Sequence, residues 1–154
     1  MRAVVVYGSR HGCTRKCAQL LAEKLQADSI DLADVPEVEI GNYDMVVVGT
    51  PVYAARLNPA VLRFCAKHHS TLLQKRLGLF VCCGFADKAM EQLASGLSRE
   101  LVDAAVAIGY FGYSFTGLSL LERMIAKMVG APIGKNDIRD EEIEAFASKM
   151  RETV

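Results

Sequence analysis

The chain has 154 residues, 51% of them apolar and 23% charged, and its 18 Lys+Arg balance its 18 Asp+Glu. That composition excludes a disordered chain, and the length suits a single domain over 1–154 that can bury a core without a metal or disulfide. A formal net charge of zero with no dense Lys/Arg cluster excludes a basic nucleic-acid-binding chain, and no apolar run approaches the ~18 residues of a membrane-crossing helix.

Ala3-Val4-Val5-Val6-Tyr7 is an apolar run without polar alternation, as expected of a strand covered on both faces. Its apolar stretch is too short for a secretory leader, so it reads as the first strand of a cytoplasmic protein. A helical pattern follows, with Ala18, Leu21, Ala22 and Leu25 on one face. Ser29-Ile30-Asp31-Leu32 predicts a short strand, and Met45-Val46-Val47-Val48, ending at Gly49, a second buried one. Asn58-Pro59 opens a helix to Lys67, since proline is comfortable in a first helical turn. A strand over Leu77–Cys83 ends at Gly84, and a helix is expected over Lys88–Leu101, then a strand over Ala104–Ile108. Leu118–Val129 predicts a helix stopped by Gly130-Ala131-Pro132, and Glu141–Arg151 a last helix with Ile143, Phe146, Ala147 and Met150 on its apolar face. Alternating β and α elements imply an α/β fold, a doubly wound five-stranded parallel sheet with helices on both faces. In such sheets the ligand site lies beyond the carboxyl ends of the strands, where the strand order reverses.

The five cysteines, Cys13, Cys17, Cys65, Cys82 and Cys83, include no C-x-x-C pair and read as thiols in a reducing compartment. Cys13 and Cys17 lie one helical turn apart. His68 and His69 are adjacent, so their side chains diverge on a helix, and no residue spacing points to a metal.

The loop after the first strand, Gly8-Ser9-Arg10-His11-Gly12-Cys13-Thr14, runs directly into a helix. Amides at a helix N-terminus point outward and its dipole is positive there, so a phosphate can be held without a dedicated cation. Gly12 lets the backbone bend towards a ligand, and Ser9 and Thr14 carry hydroxyls that can donate to phosphate oxygens. The competing reading is that one of these hydroxyls only caps the helix. His11 either adds charge beside a phosphate when protonated or is exposed without a role. The loop is neither G-x-x-x-x-G-K-[ST] nor G-x-G-x-x-G, and Arg15, two residues beyond Cys13, is too close to wrap an anion as a cysteine phosphatase requires.

Tyr7 to Thr14 resembles the phosphate loop of flavodoxins, and in closer detail that of the flavodoxin-domain family that includes menaquinone-dependent protoporphyrinogen oxidase. Thr14-Arg15-Lys16, Asn42-Tyr43-Asp44, Phe64-Cys65-Ala66-Lys67-His68 and Glu122 to Gly130 agree with it in order. The resemblance implies the strand order 2-1-3-4-5 and non-covalently bound FMN. Ser9, Arg10, His11, Gly12, Cys13 and Thr14 would hold its phosphate. Thr50, Pro51, Val52, Tyr53 and Ala54 would line one side of the ring, and Cys83, Gly84, Phe85 and Asp87 the other. Tyr53 and Phe85 are the candidate stacking residues, with core packing as the alternative. Many flavodoxins place a glycine in the second loop for a peptide flip towards the flavin; Thr50 to Leu57 has none, and alanine resists a positive φ by roughly 1–2 kcal/mol.

By the same resemblance the function is that of an FMN-dependent oxidoreductase passing electrons to a quinone. The alternatives are a flavodoxin-type electron carrier serving a redox partner protein, and a flavin-free interaction module. No catalytic acid, base or nucleophile is assigned, because in a flavoprotein the flavin carries the chemistry. The segment 111–138 is an insertion before the last helix. Its Leu118, Leu120, Leu121, Met124, Ile125, Met128 and Val129 form an apolar band expected to cover the core. The sharper alternative is a cap over the flavin, a quinone-facing surface, or a contact over 111–129 with the inner face of a membrane.

Overall fold

The strongest local signal, an all-apolar strand, becomes an inner strand of the parallel sheet. In the computed structural model, which describes all residues except 10–11, 54–55, 83–85, 115–119, 129, 131–135 and 153–154, β1 (Ala3–Tyr7) is buried along its whole length. Then follow α1 (Cys13–Leu25), β2 (Asp28–Asp31), β3 (Met45–Tyr53), β4 (Arg56–Leu57), α2 (Pro59–Lys67) and α3 (His69–Leu73). The second half contains β5 (Arg76–Cys82), α4 (Ala86–Gly96), α5 (Arg99–Ala104), β6 (Ala107–Tyr110), β7 (Gly112–Ser114), α6 (Leu120–Met128), β8 (Asn136–Ile138) and α7 (Asp140–Arg151).

The main sheet runs β2-β1-β3-β5-β6 with all these strands parallel, and β4 folds back antiparallel on the end of β3. Among the parallel strands this is the expected order 2-1-3-4-5. Alternate strand residues divide the core in two. Val4, Val6, Val46, Val48, Leu77 and Leu79 face the side covered by α2, α3, α4 and α5. Val5, Tyr7, Val47, Phe80 and Cys82 face α1 and α7. On that second face Phe80 and Phe111 stack at 4.5 Å and Phe146 of α7 meets Phe111 edge-on at 5.3 Å, each pair adding ~0.5–1.5 kcal/mol beyond area burial. Gly49 makes room for the trio, since a Cβ there would lie 2.1 Å from the Phe80 ring.

The helix expected over Lys88–Leu101 is two helices, because Ser98 adopts extended backbone and its hydroxyl accepts from the Leu101 N–H at 3.2 Å, starting α5 afresh. α5 runs to Ala104, so β6 begins at Ala107, later than expected. The insertion holds the antiparallel pair β7-β8 flanking α6. The expectation that the α6 band covers the core is corrected for its described members: Leu120, Leu121, Met124, Ile125 and Met128 are 78%, 66%, 56%, 38% and 85% exposed, while Leu118 and Val129 lie outside the described residues. Both sheet faces are already filled by other helices, which leaves this stripe no core to join.

Candidate functional site

Register brings three strand ends to one level. Tyr7 pairs with Gly49, Gly49 with Phe80, Thr50 with Val81 and Pro51 with Cys82. The segments that follow β1, β3 and β5 therefore leave the sheet side by side. Strand order reverses between β1 and β3, where the topology predicts a ligand crevice.

The first segment is shaped by Gly12, whose φ of 86° lies in the left-handed region and which is the residue before α1. A Cβ there would meet none of the described residues within 4 Å, so the requirement for glycine is conformational. Among the described residues no side chain caps α1. Ser9 Oγ accepts from the Gly12 N–H at 3.1 Å, tightening the turn. This settles the capping alternative: neither Ser9 nor Thr14 is the helix cap. Thr14, in the first turn of α1, is 1% exposed and its Oγ1 is a buried hydroxyl without a hydrogen-bond partner among the described residues. An unmet buried hydroxyl costs ~1–3 kcal/mol and calls for an acceptor.

Arg15 is engaged by a carboxylate beside the end of β1. Its guanidinium donates to the Asp31 carboxylate at 2.6 Å, and Asp31, at the end of β2, has a side chain only 4% exposed. Burial, then the Asp31 charge, pushes the Tyr7 phenol above its ordinary pKa. Thus Arg15 is committed to a carboxylate, and among the described residues of the turn the groups that could meet an anion are amides and hydroxyls.

At the second segment, Pro51 and Val52 are half-buried on the outer end of β3, and Val52 pairs with Leu57 and Tyr53 with Arg56 in the β3-β4 hairpin. The Thr50 hydroxyl ties this segment to the next helix, accepting from the Asn58 N–H at 3.1 Å and donating to the Pro51 carbonyl at 3.0 Å. Asn58 Oδ1 in turn accepts from Ala60 N–H at 2.9 Å and Val61 N–H at 3.4 Å, capping α2. Gly8 lies against the same side chain, since a Cβ at Gly8 would sit 2.6 Å from Asn58 Oδ1. Sequence reasoning reads Asn58 only as a helix start; its place between two mouth segments depends on how β1 and β3 lie side by side.

Of the remaining candidates, Arg10, His11, Ala54, Cys83, Gly84 and Phe85 lie outside the described residues, as do the side chains of Tyr53 and Asp87. Asp87 belongs to the first turn of α4. Cys13, half-buried, starts α1 and points with Cys17 towards Cys82 at the end of β5; the three sulfur atoms lie within 4.8 Å of one another. Hydrogen bonding with Cys13 is the leading cause that pushes the Cys17 and Cys82 thiols up, and burial adds to it. The i, i+4 spacing of Cys13 and Cys17 is visible in the sequence, but the third member follows from which face of β5 meets α1.

The flavodoxin-domain family profile matches residues 4–139. An uncharacterized protein of Methanocaldococcus jannaschii is 30% identical over 71% of this chain and 69% of its own length. The protoporphyrinogen IX dehydrogenase [quinone] of Escherichia coli K12 is 31% identical over 47% of this chain, a match that spans 42% of that protein. Among solved structures, oxidised flavodoxin 1 of Bacillus cereus superposes with a TM-score of 0.61 at 19% identity, covering 97% of both chains. A Fusobacterium nucleatum flavodoxin variant bound to flavin mononucleotide superposes with a TM-score of 0.54 at 10% identity, covering 97% of this chain and 95% of that one.

Proposed function

Because the chain belongs to the flavodoxin-domain family, we propose that it holds FMN non-covalently at the carboxyl ends of β1, β3 and β5 and transfers electrons from an organic donor to a quinone, in the manner of a protoporphyrinogen dehydrogenase. The observation that carries the reading is the Thr14 hydroxyl, buried without a partner among the described residues beside an uncapped helix start and the left-handed Gly12. These groups fit a phosphate monoester, because each supplies a donor or a bend and none supplies a competing negative charge. Ser9 and Gly12 would fix the turn around the phosphate, and Thr14 would donate to it. Pro51, Val52 and the β3-β4 hairpin would flank the ring. Bound FMN would supply the redox chemistry, while the chain orients it and shields one edge from water.

The exposed apolar face of α6 supports an acceptor reached at a lipid surface rather than a purely aqueous carrier role. The balanced charge of the chain also speaks against docking by strong electrostatic steering to a basic redox partner. The test is FMN titration of the purified protein by flavin fluorescence quenching, followed by quinone-dependent oxidation of protoporphyrinogen with the loaded protein. Saturable one-to-one binding with turnover supports the reading. Binding without turnover, but with electron delivery to a protein partner, favours the carrier; absence of binding removes the flavin altogether.

A further inference from the structure

We propose that Cys13, Cys17 and Cys82 form a three-thiolate site for a soft divalent cation of the zinc and cadmium class, next to the phosphate-type turn. The geometry is the first support. All three Sγ atoms lie within 4.8 Å of one another. A metal–sulfur bond of ~2.3 Å sets sulfur–sulfur separations of about 3.8–4.0 Å in a tetrahedral or trigonal site, so each pair closes by at most about 1 Å. The three residues are carried by the first two turns of α1 and the last residue of β5, elements already packed together, so small side-chain rotations close the site.

The donor set supplies the second argument. No described His, Asp or Glu offers a ligand atom within that grouping, and a sulfur-only set selects soft ions over magnesium, calcium or manganese. The pocket is also dry: Cys17 and Cys82 are 0% and 4% exposed and lie among Phe80, Phe111 and Ala18. Cys13 alone is half-buried, which gives the ion a way in and leaves one coordination position for water. Binding replaces three S–H bonds by three metal–sulfur bonds and sends three protons to solvent, leaving a single net negative charge on the complex with a divalent ion. The positive end of α1, which begins at Cys13, lies where that charge forms. A monovalent ion on the same ligands would leave two negative charges in the core, which favours the divalent choice.

Cadmium is the probe, because its thiolate complexes absorb in the ultraviolet through charge transfer. Titrated into the reduced protein without FMN, it should raise this absorption to saturation at one equivalent, and zinc should displace it. Cys17→Ser and Cys82→Ser should each weaken binding at least ten-fold, whereas Cys65→Ser, buried elsewhere in the core, should leave it unchanged. Because the buried variants can fail to fold, Cys13→Ser at the half-buried position is the safer substitution, with circular dichroism as the folding control. A Cys13→Ser protein that folds and still binds cadmium with unchanged affinity would overturn the site. So would saturation well below one equivalent, or loss of binding in a Cys65→Ser protein that circular dichroism shows to be folded. Repeating the titration with FMN present separates this proposal from the flavin reading, since the thiol site requires no flavin to fill.

Discussion

Thr14 places a hydroxyl where the described residues give it no partner, and two opposite consequences follow from that one atom. Thr14→Val removes an unmet buried group while keeping its shape, so the protein without ligand should be equally stable or gain up to ~1 kcal/mol. If FMN binds as proposed, the same change removes a donor to its phosphate, and FMN affinity should fall by ~1.5–3 kcal/mol, roughly ten- to hundred-fold. Thermal melting of the ligand-free variant and fluorescence titration of FMN read the two signs separately; a variant that loses stability and keeps affinity would reassign Thr14 to packing. The shape of this turn is legible in the sequence, because Ser9 and Gly12 act through their own neighbouring backbone, whereas the burial of the unmet Thr14 hydroxyl depends on how α1 packs. Arg15 is legible only in the negative sense of being too close to Cys13. Its partner Asp31 is 16 residues away, and pairing across that distance depends on β2 lying beside β1. Asn58 is legible as a helix start and no further, for the same reason.

Among the elements, α7 shows how a distant residue finishes what local propensity begins. Its sequence provides Asp140, Glu141 and Glu142 in the first turn and Lys149 and Arg151 in the last, each suited to the helix dipole. Its end is closed from outside by Arg76, at the start of β5, whose guanidinium donates to the carbonyls of Met150 at 2.7 Å, Lys149 at 3.0 Å and Glu152 at 2.7 Å. Arg76→Met keeps the aliphatic stem and deletes these bonds. A loss of ~1–3 kcal/mol is expected, which for a chain of this length lowers the melting temperature by roughly 3–10 °C. A calorimetric scan checks it, with Arg76→Lys recovering only part because one ammonium cannot span three carbonyls. The major helices and parallel strands are legible because burial imposes a period on ten or so residues at once. The short strands β4, β7 and β8, of two or three residues, carry no such period, and the break between α4 and α5 turns on the single side chain of Ser98.

For the whole molecule, the question raised by composition is where the apolar band of the insertion goes. The periodicity holds, since α6 forms and its apolar residues share a stripe, but periodicity cannot report that the sheet has no uncovered face left. Among the described residues no helix is long and apolar enough to cross a membrane. A stripe with Arg123 and Lys127 exposed beside it suits contact with an anionic lipid surface. Replacing Leu121 and Met128 together by Gln should leave the melting point within the change expected of surface substitutions, ~0.5 kcal/mol. Retention on phosphatidylglycerol vesicles in a sedimentation assay should fall at least ten-fold, because each large side chain contributes ~1.5–3 kcal/mol when buried. Undiminished retention would dissociate α6 from the lipid surface.

The packing of Gly8 on the Asn58 carboxamide, with the Asn58 amide held by Thr50, makes one hinge pin of two separate mouth segments. A guest that seizes one side therefore alters the freedom of the other, and such an influence is reciprocal in free energy. If the chain holds FMN as proposed, orthophosphate and riboflavin, the two halves of that molecule, should each tighten the other's association in a calorimetric titration, although they never touch through a covalent bond. Gly8→Ala drives a methyl into the pin and should abolish that mutual assistance, leaving the halves to bind as strangers.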